Sequence, residues 1–116
     1  MSSTVAFGPL PRAEAYGASK AAIRYLMESL RIDLRDEPIS ITFVCPGFVK
    51  TPLTDRNHFP MPFLVSAEDA ARVIVDGVAA HRPEINFPRR LSIPFRVAAM
   101  LPGPIYKRLA ALITGQ

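Results

Sequence analysis

With 49% hydrophobic and 21% charged residues over 116 positions, the sequence has the makeup of one folded domain and excludes a disordered tract. Its net charge of +4 is local: residues 1–84 carry nine Lys or Arg against ten Asp or Glu, whereas Arg89, Arg90, Arg96, Lys107 and Arg108 follow with no acid. Five cations spread over a proline-rich tail are too sparse for a nucleic-acid footprint, so no nucleic-acid partner is expected and a solvated or interfacial basic face is the better reading.

Residues 2–11 are mostly small and broken by Gly8, Pro9 and Pro11, which predicts a loop. A helix is predicted over residues 13–36. Ala22, Leu26, Ser29, Leu30 and Asp33 follow three- and four-residue steps, and Ile23, Met27, Leu30 and Leu34 form a second apolar line. Two such lines predict a helix covered over much of its circumference. Asp36-Glu37-Pro38 stops it, because proline disfavours helical geometry in the residue before it. The β-branched and aromatic run over 39–45 predicts a short buried strand ended by Pro46-Gly47. Pro52, Pro60 and Pro62 make residues 48–65 an irregular, mobile loop by expectation. Ser66 is a good N-cap, with Glu68 and Asp69 at the positive end of the helix dipole and Ala70, Val73, Ile74 and Val78 as the apolar face. A strand is predicted at 84–87, and Pro94, Pro102, Gly103 and Pro104 are expected to split the tail into two short helical pieces. Helix, strand, helix and strand in this order imply α/β layering. Two short strands make a poor sheet, since buried backbone groups need neighbouring strands. The expectation is the back end of a larger parallel sheet.

The chemistry concentrates in Tyr16-Gly17-Ala18-Ser19-Lys20. Positions four apart share a helix face, so the Tyr16 hydroxyl and the Lys20 ammonium can flank one small site. An unassisted phenol is a poor proton shuttle at neutral pH, and a cation a few ångströms away favours phenolate. Such a pair suits general acid/base work. Taken alone, a half-exposed tyrosine and a solvated lysine one turn apart are the commoner outcome.

The run from Tyr16 to Ala22 resembles the active-site helix of the short-chain dehydrogenase/reductase family, whose motif is Tyr-x-x-x-Lys. Ser3 stands thirteen residues before Tyr16, where the family has a catalytic serine. Pro46-Gly47-Phe48-Val49-Lys50-Thr51 is similar to the family's Pro-Gly segment beside the nicotinamide, and Ser66-Ala-Glu-Asp-Ala70-Ala-Arg to the helix start after its substrate loop. The likeness covers residues 2–93, and three motifs in order make it specific. It implies the C-terminal portion of a Rossmann-like, doubly wound parallel sheet, with the catalytic half in residues 1–93 and a helical basic and apolar tail in 94–116.

The resemblance also implies roles. Ser3 would polarise the substrate carbonyl, or the hydroxyl in the reverse direction. Tyr16 would pass the proton while hydride moves to or from the nicotinamide of NAD or NADP. Lys20 would assist Tyr16 and bond the nicotinamide ribose. Pro46, Gly47 and Val49 would bring backbone to the carboxamide, and the Thr51 hydroxyl would bond the cofactor. Phe48, Leu53 and residues 59–64 would line or close over a small-molecule carbonyl or alcohol substrate; such apolar loops are as often simple packing. The implied activity is an NAD(P)-dependent interconversion of a carbonyl and a secondary alcohol.

The departures are as informative. Gly8, Gly17, Gly47, Gly77, Gly103 and Gly115 form no glycine-rich turn able to cradle a pyrophosphate. The residue that selects NAD or NADP and the family's active-site Asn on an earlier helix are absent with it, so the N-terminal half is read as missing and the isolated chain as an inactive fragment. The competing reading is a non-catalytic interaction or membrane-binding module derived from the same family.

His58 and His81 are solitary, without ligand spacing, and no metal is expected. Cys45, the one cysteine, excludes an internal disulfide and reads as a small buried hydrophobe; it fits a reducing, cytoplasmic location. No signal peptide is expected from Met1-Ser2-Ser3-Thr4, and no apolar stretch reaches spanning length. In the tail, Ile105, Leu109, Leu112 and Ile113 share a helix face while Lys107 and Arg108 point elsewhere. Peripheral membrane contact, a partner interface such as a homo-oligomer, or docking on the domain itself would each use that face. A short helix favours docking or oligomer contact over membrane.

Overall fold

The apolar run around Val44 forms strand β1, Phe43–Pro46, in a computed structural model that describes residues 1–58 and 60–115. It pairs in parallel with β2, Glu84–Phe87, in a register that sets Phe43 opposite Glu84 and Pro46 opposite Phe87. The chain crosses between them through helix α2, Ala67–Ala79, as a parallel pair requires. Ser66 caps α2 by accepting the Asp69 amide at 3.1 Å, as its sequence predicts. β1 begins at Phe43 and not at residue 39, because the ladder with β2 begins only at Glu84. On the other edge of β1 the Ser2 amide donates to the Val44 carbonyl at 2.7 Å, so the start of the chain runs along the sheet.

Val44, Ala70, Ile85 and Phe87 form the buried centre, with Val49, Val65 and Ile74 packed around it. Cys45 is fully buried, and that burial, followed by the nearby Glu84 charge, pushes its thiol pKa up.

Helix α1, Glu14–Asp33, carries Tyr16 and Lys20. Of its two predicted apolar lines, Ile23, Met27, Leu30 and Leu34 are half-buried, whereas Ala22 and Leu26 are exposed and no residue of α1 is fully buried. The expectation of a helix covered on both lines is therefore corrected. One face meets the 3-10 turn Thr4–Phe7 and, through Arg24 and Arg31, the sheet; the other has no cover among the described residues. Polar clips do much of the holding. Arg31 donates to the carbonyls of Ile41 (3.1 Å) and Pro83 (2.7 Å), and its guanidinium lies 5.0 Å from the Phe43 ring centre.

The tail forms α3, Arg89–Ala99, and α4, Gly103–Thr114. The tail is thus split into two helical pieces, as expected, with the division at Pro102-Gly103-Pro104 and not at Pro94. Pro94 lies within α3, where a missing N–H forgoes one bond in a helix otherwise intact. α3 packs on β2 and on the Thr4–Phe7 turn. α4 docks through the buried Tyr106, whose hydroxyl donates to the Pro9 carbonyl at 2.8 Å. Gly8 permits this: a β-carbon there would stand 2.6 Å from the Tyr106 oxygen and 3.3 Å from Ala99 Cβ.

Candidate active site

Tyr16 and Lys20 occupy successive turns at the start of α1, where Arg12, at a φ of 65°, turns the chain into the helix. In place of a capping side chain at Ala13, Glu14 accepts the Arg12 amide at 3.1 Å, and hydrogen bonds from its own and the Arg12 backbone amides lower its carboxyl pKa. Tyr16 is 53% exposed. The Lys20 ammonium lies 5.5 Å from the centre of its ring, within cation–π range. Lys20 has no ion-pair partner among the described residues, which leaves its charge available to the space around Tyr16.

Ser3 reaches the same end of α1 through its neighbour. Ser2 is buried and bonded twice, by its amide to Val44 on β1 and by its hydroxyl to the Lys20 carbonyl at 3.0 Å. The backbone before Ser3 is thereby pinned between the sheet edge and the lysine turn. Ser3 itself is 8% exposed, and its hydroxyl accepts the Val5 amide at 3.4 Å as the cap of the 3-10 turn. No hydrogen bond joins the side chains of Ser3, Tyr16 and Lys20 to one another. Tyr16 and Lys20 are thus neighbours by direct contact, and Ser3 adjoins Lys20 through the backbone.

Pro46 ends β1, and the Gly47 amide continues the ladder by donating to Phe87 at 2.8 Å. Gly47 is a close-approach position: a β-carbon would stand 2.6 Å from Leu91 Cδ2 and 3.2 Å from Pro88. Val49 then forms an isolated parallel bridge with Val65, in which Val65 donates to Phe48 (2.9 Å) and Lys50 to Val65 (2.8 Å). This bridge closes the base of residues 48–65 and a 3-10 turn, Thr54–Arg56, orders part of their interior, so the wholly irregular loop is a second corrected expectation. Parallel pairing alternates the direction of backbone groups, and the Val49 amide faces away from Val65 with no partner among the described residues.

Thr51 is more occupied than its motif suggests. Its hydroxyl accepts the Thr54 amide at 3.3 Å, while the Thr54 hydroxyl accepts the Thr51 amide at 2.8 Å and lies 2.8 Å from the Val49 carbonyl. Thr54 is a site residue that sequence reasoning passed over, and the Thr-x-x-Thr spacing of a side-chain-capped turn was its only signal. Among the residues expected over the substrate, Phe48 is half-buried, Leu53, Phe63 and Leu64 are exposed, and Phe59 lies outside the described residues.

Also unforeseen is the charge cluster behind the site. Glu84 pairs with Arg24 of α1 at 3.2 Å and with Arg96 of α3 at 3.6 Å, and it accepts from Asn86 at 3.0 Å. The two guanidiniums lie 5.0 and 5.1 Å from the centre of the Phe7 ring. Burial acts to raise the Glu84 carboxyl pKa, but the Asn86 hydrogen bond and the two arginines outweigh it and hold the carboxyl below its ordinary range. The cluster joins the serine segment, the Tyr16 helix, the sheet and the tail. No single stretch of sequence contains it, so spacing could not have found it. Among the described residues no His, Cys, Asp and Glu group could hold a metal ion, and no helix is long and apolar enough to cross a membrane.

The sequence profile of the short chain dehydrogenase family matches residues 1–60, which hold the serine segment, the Tyr16–Lys20 helix and the Pro46-Gly47 turn. The chain belongs to the short chain dehydrogenase family. It is similar to an uncharacterized oxidoreductase of Myxococcus xanthus, 43% identical over 110 residues, which span 95% of this chain and 44% of that protein. It is also similar to 11-beta-hydroxysteroid dehydrogenase 1A of Arabidopsis thaliana (29% over 120 residues, 88% of this chain and 34% of that protein) and to 11-beta-hydroxysteroid dehydrogenase A of Sesamum indicum (44% over 59 residues, 51% and 17%). The chain spans less than half the length of each of these relatives.

Proposed function

We propose that these residues form the proton-transfer half of an NAD(P)-dependent oxidoreductase that interconverts a carbonyl and a secondary alcohol. The observation that carries this reading is the Lys20 ammonium 5.5 Å from the Tyr16 ring, on a helix turn tied through Ser2 to the segment that bears Ser3. A bound nicotinamide supplies or takes up hydride. The Tyr16 hydroxyl gives its proton to the substrate oxygen in reduction and recovers it in oxidation, with the Lys20 ammonium beside its ring. The Ser3 hydroxyl turns from the Val5 amide to the substrate oxygen, a small loss at a 3.4 Å contact. At the cofactor end, the unpartnered Val49 amide and Lys20 hold the carboxamide and ribose. Thr51 bonds the cofactor only when its hydroxyl is shared with Thr54. The hydroxysteroid names of two relatives fit a secondary alcohol or ketone as the substrate class.

The 116 residues include no glycine-rich turn, and pyrophosphate binding is assigned to a segment outside them. Fluorescence titration of the chain alone with NADH and NADPH is expected to show weak binding, and tight binding would overturn that assignment. In the protein that joins these residues to a dinucleotide-binding half, Tyr16→Phe is expected to lower turnover by about 100-fold or more while cofactor affinity barely changes. Undiminished turnover in that variant would remove Tyr16 as the proton donor.

A further inference from the structure

The corner between α3 and α4 answers to none of this chemistry. Residues 100–105, Met-Leu-Pro-Gly-Pro-Ile, are six consecutive exposed positions without a polar side chain, and Met100 is 85% exposed. The exposure continues onto both helices, through Ile93 and Val97 of α3 and Leu112 of α4. α4 has already spent its inner face, Tyr106 and Ala110, on docking, so these outward residues have no cover among the described residues. Cations flank them: Arg89 and Arg90 open α3, and Lys107 and Arg108 follow the corner after the buried Tyr106. None of these four has an ion-pair partner among the described residues, and no acid occurs after Glu84.

We propose that this corner docks on an anionic lipid surface, with Met100, Leu101 and Ile105 entering the headgroup boundary and Lys107 and Arg108 meeting lipid phosphates. Protruding apolar side chains bordered by unpaired cations suit a fluid interface, which needs no matching shape and supplies negative charge along its whole extent. A protein partner would need a pocket for each protruding side chain and acids set against the arginines. The proposal stands apart from the oxidoreductase reading and survives its failure.

The test is sedimentation of the 116-residue chain with vesicles of phosphatidylcholine alone and of phosphatidylcholine with about one third phosphatidylglycerol. Binding is expected on the anionic vesicles only, falling as salt screens the charges. Met100→Asp is expected to weaken it about tenfold or more, and Lys107→Glu with Arg108→Glu to remove the preference for anionic lipid, at about fivefold per charge. Both changes fall on exposed positions, and circular dichroism checks the fold. If Met100→Asp does not fold, the charge-reversed protein carries the test. Recovery in the supernatant with both vesicles overturns the proposal, as does undiminished binding by the charge-reversed protein. So does self-association that Met100→Asp abolishes in a chain that ignores lipid, which would assign the corner to a second copy.

Discussion

The β1–α2–β2 unit and helix α1 are held by different forces, although they meet along one face. The first closes on Val44, Ala70, Ile85 and Phe87, with Cys45 wholly buried. The second has no fully buried residue and is fastened by Arg24, Arg31 and the Ser2 hydroxyl. Apolar burial fixes where the Pro-Gly turn ends the sheet. Directional hydrogen bonds and ion pairs fix where Tyr16 and Lys20 stand relative to it. A helix clipped in this way keeps Tyr16 open to solvent while its position stays defined.

The contrast breaks most sharply in the core. Phe87→Ala is expected to cost about 3–5 kcal/mol through lost burial and the cavity left behind. Phe87 pairs with Pro46 and accepts the Gly47 amide, so the loss should loosen strand and turn together in denaturant unfolding. Arg31→Met should cost less, about 1.5–3 kcal/mol, since it removes the charge-assisted bonds to the Ile41 and Pro83 carbonyls and the half-exposed pair with Glu28 but keeps an apolar stem against Phe43. Its signature is local. Amide exchange should quicken in α1 well before it changes in β1 and β2. Equal acceleration in all three would mean that helix and sheet form one cooperative unit, and the distinction between them would fail.

How much of this was legible in the sequence follows the same division. α2, its Ser66 cap and β2 could be read directly, because capping and short-range periodicity are local properties. The line Ile23, Met27, Leu30 and Leu34 was readable as the inner face of α1, but the Leu26 line was not readable as open, since periodicity reports an apolar face and never what covers it. Pro94 misled because a single proline costs one helix bond, which packing of α3 on β2 outweighs. In the candidate site, the four-residue step from Tyr16 to Lys20 was visible. The Thr51–Thr54 exchange and the meeting of Arg24, Glu84 and Arg96 were not, because they depend on which segments the sheet brings side by side.

That last meeting gives the smallest expected effect and the finest probe of the comparison, because Glu84 belongs to β2 while its partners belong to α1 and α3. Its carboxyl pKa is held below the ordinary 4.5 by Asn86, Arg24 and Arg96 against the opposing effect of burial. A carboxyl depressed in the folded state contributes stability that is present above its unfolded pKa and is lost as pH falls through the folded value. Glu84→Gln should therefore cost about 1 kcal/mol near neutral pH, a modest figure because Arg96 is half exposed. The deficit should shrink as pH drops below 4.5 and vanish once the native carboxyl is also protonated. Denaturant unfolding of both proteins across this range checks it, and a deficit independent of pH would mean that the substituted amide disturbs packing and not charge. Exchange in the Arg24 turn should follow the same pH curve if this charge is what fastens α1 to the sheet. Were that turn unaffected, Ser2 and Arg31 would suffice to hold the lysine end of the helix.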